Sequence, residues 1–137
     1  MEKNDHNALL KEFGHKLGLD LSFNENRICE LYFDNRLDII IRSEDDDGVI
    51  IISTVLAESL PEHISYSVLF DILDNSAEAY IKGGNVPIIG RDEDTGLIIL
   101  YIVCTASYLK KKKFIDIFTE FLEYHENIYN VLLENNN

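Results

Sequence analysis

Residues 28–55 read ICELYFDNRLDIIIRSEDDDGVIIISTV, three runs rich in Ile, Val, Tyr and Phe divided by polar turns, and this stretch decides the fold. Strands are predicted at 28–33, 37–42 and 49–55, with the second turn formed by Ser43 to Gly48. Side chains alternate between faces along a strand, so the pairing register determines what each face carries. Setting Arg42 against Val49 puts Leu37, Ile39 and Ile41 on one face with Ile50 and Ile52. For the first hairpin, a two-residue loop at Asp34-Asn35 would align Glu30 with Ile39. A three-residue loop aligns Cys29, Leu31 and Phe33 with Leu37, Ile39 and Ile41 and keeps charge off the apolar face, so it is preferred. The opposite face then holds Ile28, Tyr32, Ile40, Val49 and Ile51 among Glu30, Asp38, Arg42 and Ser53. It is mixed, and either helices cover it or it faces solvent as a binding surface.

Working outward, residues 8–18 space Leu10, Phe13 and Leu17 as a helix that stops at Gly18, and Asn24-Glu25-Asn26 makes a polar turn before the first strand. On the other side Pro61 opens a second helix running to about Ala77. Its apolar members Ile64, Tyr66, Val68, Leu69, Phe70, Ile72 and Leu73 sweep more than half the circumference, leaving Ser67, Asp71 and Asp74 on a narrow polar strip. One small domain does not bury such a helix alone, so a homodimer is expected, with Tyr66, Phe70 and Leu73 at the subunit contact. Gly83-Gly84 breaks the chain. Val86–Gly90 and Leu97–Thr105 form a second hairpin around Arg91–Gly96, and a last helix starts near Leu109, keeping Phe114, Phe118, Phe121, His125, Ile128 and Leu132 at three-four spacing. The order α-βββ-α-ββ-α predicts an α+β fold, a twisted antiparallel sheet packed by helices.

A chain of 137 residues, 46% of them hydrophobic, suits one domain over 1–137, with 1–7 and 134–137 expected to fray. Twenty-five acidic against twelve basic residues give a formal charge of −13, which repels phosphate backbones and anionic headgroups and excludes nucleic acid and membrane as partners. A polar Met1–Asn7 and the lack of any long apolar run predict a cytoplasmic protein. Cys29 and Cys104 sit inside apolar strands without CxxC spacing and read as buried, reduced thiols. Four of the twelve cations are Lys110 to Lys113, at a predicted helix start where they would oppose the dipole. A solvated run and a docking point for an acidic partner surface both fit them.

Enzyme signatures fail. There is no GxSxG, Walker A, GxGxxG or HExxH pattern, and His6, His15, His63 and His125 are scattered without ligand spacing. His125 falls on the apolar stripe of the last helix and reads as a hydrogen-bonded packing residue. Counting Gly48 as position six of an EF-hand loop puts Ser43 at position one and Thr54 at twelve, so Asp45-Asp46-Asp47 reads as a turn, as does Asp92-Glu93-Asp94. No catalytic residue, metal or cofactor is expected.

The element order, together with Leu19-Asp20-Leu21-Ser22-Phe23-Asn24-Glu25-Asn26-Arg27-Ile28-Cys29, Leu60-Pro61, Gly83-Gly84 and Ile89-Gly90-Arg91-Asp92, resembles the Tir chaperone family, the class I chaperones of type III secretion, over about residues 8–133. Asn24 stands where that family usually has an acidic residue. The resemblance implies a homodimer whose second helices meet and which binds the extended amino-terminal segment of a secreted effector without ATP, with the secretion ATPase as a further candidate partner. Such segments add strands to sheet edges and set apolar side chains into grooves. The contacts expected here are Ile28, Tyr32, Ile40 and Ile51 on the mixed face, with Leu10 and Phe13 of the first helix nearby. The rival reading is a general protein-interaction or regulatory domain of the same shape.

Overall fold

The computed structural model describes residues 3–33, 36–44, 48–59, 64–81 and 85–134. Five strands, β1 (Ile28–Phe33), β2 (Leu37–Glu44), β3 (Val49–Ala57), β4 (Ile88–Arg91) and β5 (Ile98–Cys104), form one antiparallel sheet in the order β1-β2-β3-β5-β4. Helix α1 (Lys3–Leu17) precedes the sheet, α2 (Tyr66–Ile81) connects β3 to β4, and α3 (Ala106–Lys111) and α4 (Phe114–Glu134) follow β5.

The first hairpin has the register that keeps charge off the core, Cys29 opposite Ile41, Leu31 opposite Ile39 and Phe33 opposite Leu37. In the second, Arg42 pairs with Ile51 rather than Val49, and Glu44 with Val49. The slip is of two residues, so every side chain keeps the face expected for it. The reason lies in Ser43. It belongs to β2 instead of the turn, points to the buried face beside Ile41, and its hydroxyl is 2.6 Å from Nδ1 of His6. Asp45 to Asp47 lie outside the described residues.

Ile39, Ile41, Ile50 and Ile52 are fully buried, joined by Leu31, Leu56, Leu100, Ile102 and Cys104 from the same sheet face. Each such aliphatic side chain contributes about 1.5–3 kcal/mol relative to exposure. All four described helices send apolar side chains into this one cluster: Leu10 and Phe13 from α1, Val68 from α2, Leu109 from α3, and Phe114, Phe118, Phe121, Ile128 and Leu132 from α4. The Phe13 ring sits edge-on to Phe114 at 4.9 Å and to Phe118 at 4.8 Å, locking α1 to α4.

The helix boundaries differ from expectation for local reasons. Helix α1 starts at Lys3, so residues 3–7 form its first turns instead of fraying, and buried His6 ties them to β2. It ends in a Schellman arrangement: Gly18, at φ 72°, donates to the His15 carbonyl and Leu19 to the Gly14 carbonyl. Asn24 then accepts from the N–H groups of Asn26 and Ile28, closing the turn into β1. Helix α2 begins at Tyr66, later than predicted, and runs to Ile81, while Ile64 precedes it. The predicted opener Pro61 and the Gly83-Gly84 break lie outside the described residues. The last helix is two helices. Thr105 caps α3 by accepting from the Tyr108 N–H, and Lys112 adopts an extended backbone that ends it. Lys110 and Lys111 therefore occupy the last turn of α3, where the dipole favours cations, and not a helix start.

Candidate functional site

With the helices on one side, the other sheet face is covered by no described element. Its composition follows from the register. One row runs Ile28, Arg42, Ile51, Val103; the next runs Glu30, Ile40, Ser53, Tyr101, Ile88. A third pairs Tyr32 with Asp38 on one side and aligns Val55, Ile99 and Gly90 on the other. Tyr32 is 60% and Ile40 37% exposed, and Val55 and Ile88 are also exposed. Ile28 and Ile51 are partly buried. The four mixed-face residues expected as contacts thus share one open surface, within three neighbouring strands.

Leu10 and Phe13 do not join them. They are 0% and 2% exposed, and they pack under the sheet against α4, on the face opposite Tyr32 and Ile40. The three-four spacing that marked α1 as amphipathic identified its buried stripe, which is a core role.

The β5–β4 half of the open face was missed. Residues 98–104 are apolar almost without alternation, which is the signature of a strand with apolar side chains on both faces. Ile99, Tyr101 and Val103 extend the patch from β3 to β4 with no charged side chain among them, whereas Glu30, Asp38 and Arg42 interrupt the β1–β2 half. The Tyr101 ring lies over Gly90, its Cε1 3.6 Å from where a Cβ would stand.

A second apolar surface lies on α2. Val68 is buried and Ile72 partly so, while Tyr66, Phe70 and Leu73 are 79%, 59% and 61% exposed, with Leu69 exposed beside them. The Tyr66 and Phe70 rings stack at 6.3 Å. Helix α2 is held to α4 by the hydrogen bond of Ser76 Oγ with the Tyr124 hydroxyl, 2.6 Å, leaving this stripe on its outer side.

Titratable groups have structural roles. Burial pushes the Cys104 thiol up to about 12 and raises Cys29, so both are protonated, free thiols in the core. His125 is buried; burial lowers its pKa against the opposing Val55 backbone hydrogen bond, and its ring stacks on Tyr129 at 5.9 Å. The packing role expected for it holds. In the Asp92 turn, the carboxylate accepts from the Asp94 N–H and the main chain closes through Gly96 N–H to the Asp92 carbonyl, 2.7 Å. Lys112 pairs with Glu120 across the α3–α4 junction, while Lys110, Lys111 and Lys113 are exposed.

The described residues thus form an α+β domain that carries exposed apolar side chains on one sheet face and on the outer side of α2. The chain belongs to the Tir chaperone protein (CesT) family, whose model matches residues 8–128. Its fold is similar to that in the HopA1–SchA chaperone–effector complex (TM-score 0.67, 17% identity, 94% of this chain and 93% of that one). It is also similar to the ExsC–ExsE complex (0.61, 19%, 94% and 92%) and to the ExoU–SpcU heterodimeric complex of the Pseudomonas aeruginosa type III secretion system (0.61, 14%, 92% and 96%). These likenesses are of fold. Comparison with curated proteins finds no match. Among the described residues no helix is long and apolar enough to cross a membrane.

Proposed function

We propose that this protein is a type III secretion chaperone that binds the amino-terminal segment of an effector in extended form and keeps it soluble and competent for secretion, without ATP. The observation that carries the reading is membership of the Tir chaperone family over residues 8–128, in a chain whose sheet leaves one face open. One neighbour in fold comes from a chaperone–effector complex and another from a heterodimeric complex of a type III secretion system, which favours a secreted protein as the partner here. Binding is the work of surfaces and not of a catalytic group, so the protein acts as a holdase and not as an enzyme.

On this reading Ile28, Tyr32, Ile40 and Ile51 take apolar side chains of the segment, joined by Ile88, Ile99 and Tyr101, while backbone pairing at the sheet edges supplies affinity without sequence demands. The stripe of Tyr66, Phe70 and Leu73 on α2 meets its symmetry mate in a homodimer, since a two-fold contact requires one self-complementary patch and α2 offers it. The test is co-purification from the native cell. The partner identified should be a secreted protein held through its amino-terminal segment in nucleotide-free buffer; a partner held through a folded domain, or one that dissociates without ATP, would contradict the proposal.

A further inference from the structure

Where β2 and β3 part, the sheet opens into a fork. Their pairing ends at Ile39 opposite Thr54, yet β3 continues to Ala57 and β2 begins at Leu37. Two side chains answer the backbone groups this leaves. The Thr54 hydroxyl donates to the Asp38 carbonyl at 2.8 Å, and the His125 ring hydrogen-bonds the Val55 backbone from α4. On the β5 side the same segment is irregular, with Val55 opposite Ile99 but Ala57 opposite Ile98. The fork is therefore a groove of about 640 Å³, with Val55, Leu56, Tyr129 and Leu132 as its apolar lining. That size lies within the range of pockets built for ligands, and exceeds one side chain.

Three features indicate what it takes. The first is charge. Arg36 is paired with Glu126 at 3.4 Å, whereas the lining carboxylates Asp38 and Glu58 have no ion pair among the described residues. The second is His125 Nε2, buried and without a hydrogen-bond partner among the described residues. The ring hydrogen-bonds the Val55 backbone and burial favours its neutral form, which leaves one ring nitrogen as an acceptor in the wall of the groove. The third is the Tyr129 ring, stacked on His125 through one face and exposed beyond it, beside apolar surface that suits a long aliphatic stem.

We infer that the fork between β2 and β3 is a binding site for a basic side chain, arginine or lysine, carried by an extended polypeptide segment. Its stem lies along Val55 and Leu132 and its head reaches Asp38 and Glu58. The fork is continuous with the open face through Asp38 and Val55, which both belong to it. The identity of the segment as part of a secreted partner rests on the chaperone reading, whereas the chemistry of the site does not.

The test uses the full chain and two synthetic probes, acetyl-Val-Arg-Val-amide and the same peptide with norleucine for arginine, followed by NMR of the His125 and Tyr129 ring protons. The arginine probe should move these resonances saturably at millimolar concentration and the norleucine probe should not. The double variant Asp38→Asn and Glu58→Gln, both exposed positions, should weaken the arginine probe about five-fold, the product of two surface charge contacts of about half a kcal/mol each. Equal shifts from both probes, unmoved resonances, or unchanged affinity in the double variant would overturn the site. Spermidine binding as tightly as the arginine probe would overturn its assignment to a polypeptide. Neither result touches the co-purification on which the chaperone reading is judged.

Discussion

At the residue scale, His125 shows how a buried titratable group becomes a pH sensor of stability. Burial holds its pKa below the usual value near 6.5, so the fold favours the neutral ring. A group of this sign contributes its full stability above the unfolded pKa and loses it as pH falls through the folded one. Arg36 deepens the effect and Glu126 opposes it. Thermal midpoints measured from pH 8 to pH 5 should therefore fall on the acid side of about 6.5, with a shallower fall in His125→Phe. Equal slopes in the two proteins would remove His125 from the account. Gly14 makes a different demand, because a Cβ there would stand 2.8 Å from the Leu19 carbonyl oxygen and 3.0 Å from Leu21 Cγ. Gly14→Ala should cost about 1–3 kcal/mol in denaturant unfolding despite the better helix propensity of alanine. A stabilised variant would mean the loop after α1 yields freely. The packing role of His125 was legible from its place on an apolar stripe. The Ser43 partner of His6 was not, because a hydrogen bond spanning 37 residues leaves no trace in local pattern.

At the scale of elements, the strands were the most legible part of the chain. A period of two places Ile39, Ile41, Ile50 and Ile52 on one face whatever the turn length, provided the register shifts by even steps. That is why the β2–β3 slip altered pairs and not faces. Helix ends were less legible, since they depend on single capping groups: Thr105 and extended Lys112 split what the apolar spacing alone joins. Leu10 and Phe13 illustrate the limit for sites, because an apolar stripe marks a buried side as readily as a binding one. The open face and the α2 stripe lead to separable predictions. Tyr32→Ala and Ile40→Ala should each weaken binding of a purified effector segment by about 1–3 kcal/mol in calorimetry and leave the mass of the protein unchanged. Unchanged affinity in both would move the site towards β5 and β4. Light scattering should report a dimer for the parent protein, as proposed, and a folded monomer with circular dichroism preserved for Phe70→Asp, because the side chain is exposed in the single chain. A variant that keeps the parent mass would exclude α2 as the contact.

At the scale of the molecule, one sheet with all described helices on one side leaves two apolar surfaces, the α2 stripe proposed to meet a second copy and the open sheet face proposed to take a secreted segment. A formal charge of −13 opposes self-association through the exposed apolar surfaces, and on the proposed reading it favours a neutral or basic segment as partner. Lys110, Lys111 and Lys113 stand apart from that field at the α3–α4 junction, fixed by the Lys112–Glu120 pair and by buried Leu109 and Phe114 on either side. The α+β fold class was readable from the order of elements. The client was not, because the selectivity of an open face lies in its shape. The most direct test is hydrogen exchange on the complex purified from the native cell without nucleotide, against the protein alone. Protection should appear in the amino-terminal segment of the partner and in β1–β3 and β5 of this chain, with the rest of the partner exchanging as it does when free. Protection confined to a folded domain of the partner, or a sheet that exchanges alike in both samples, would contradict the account.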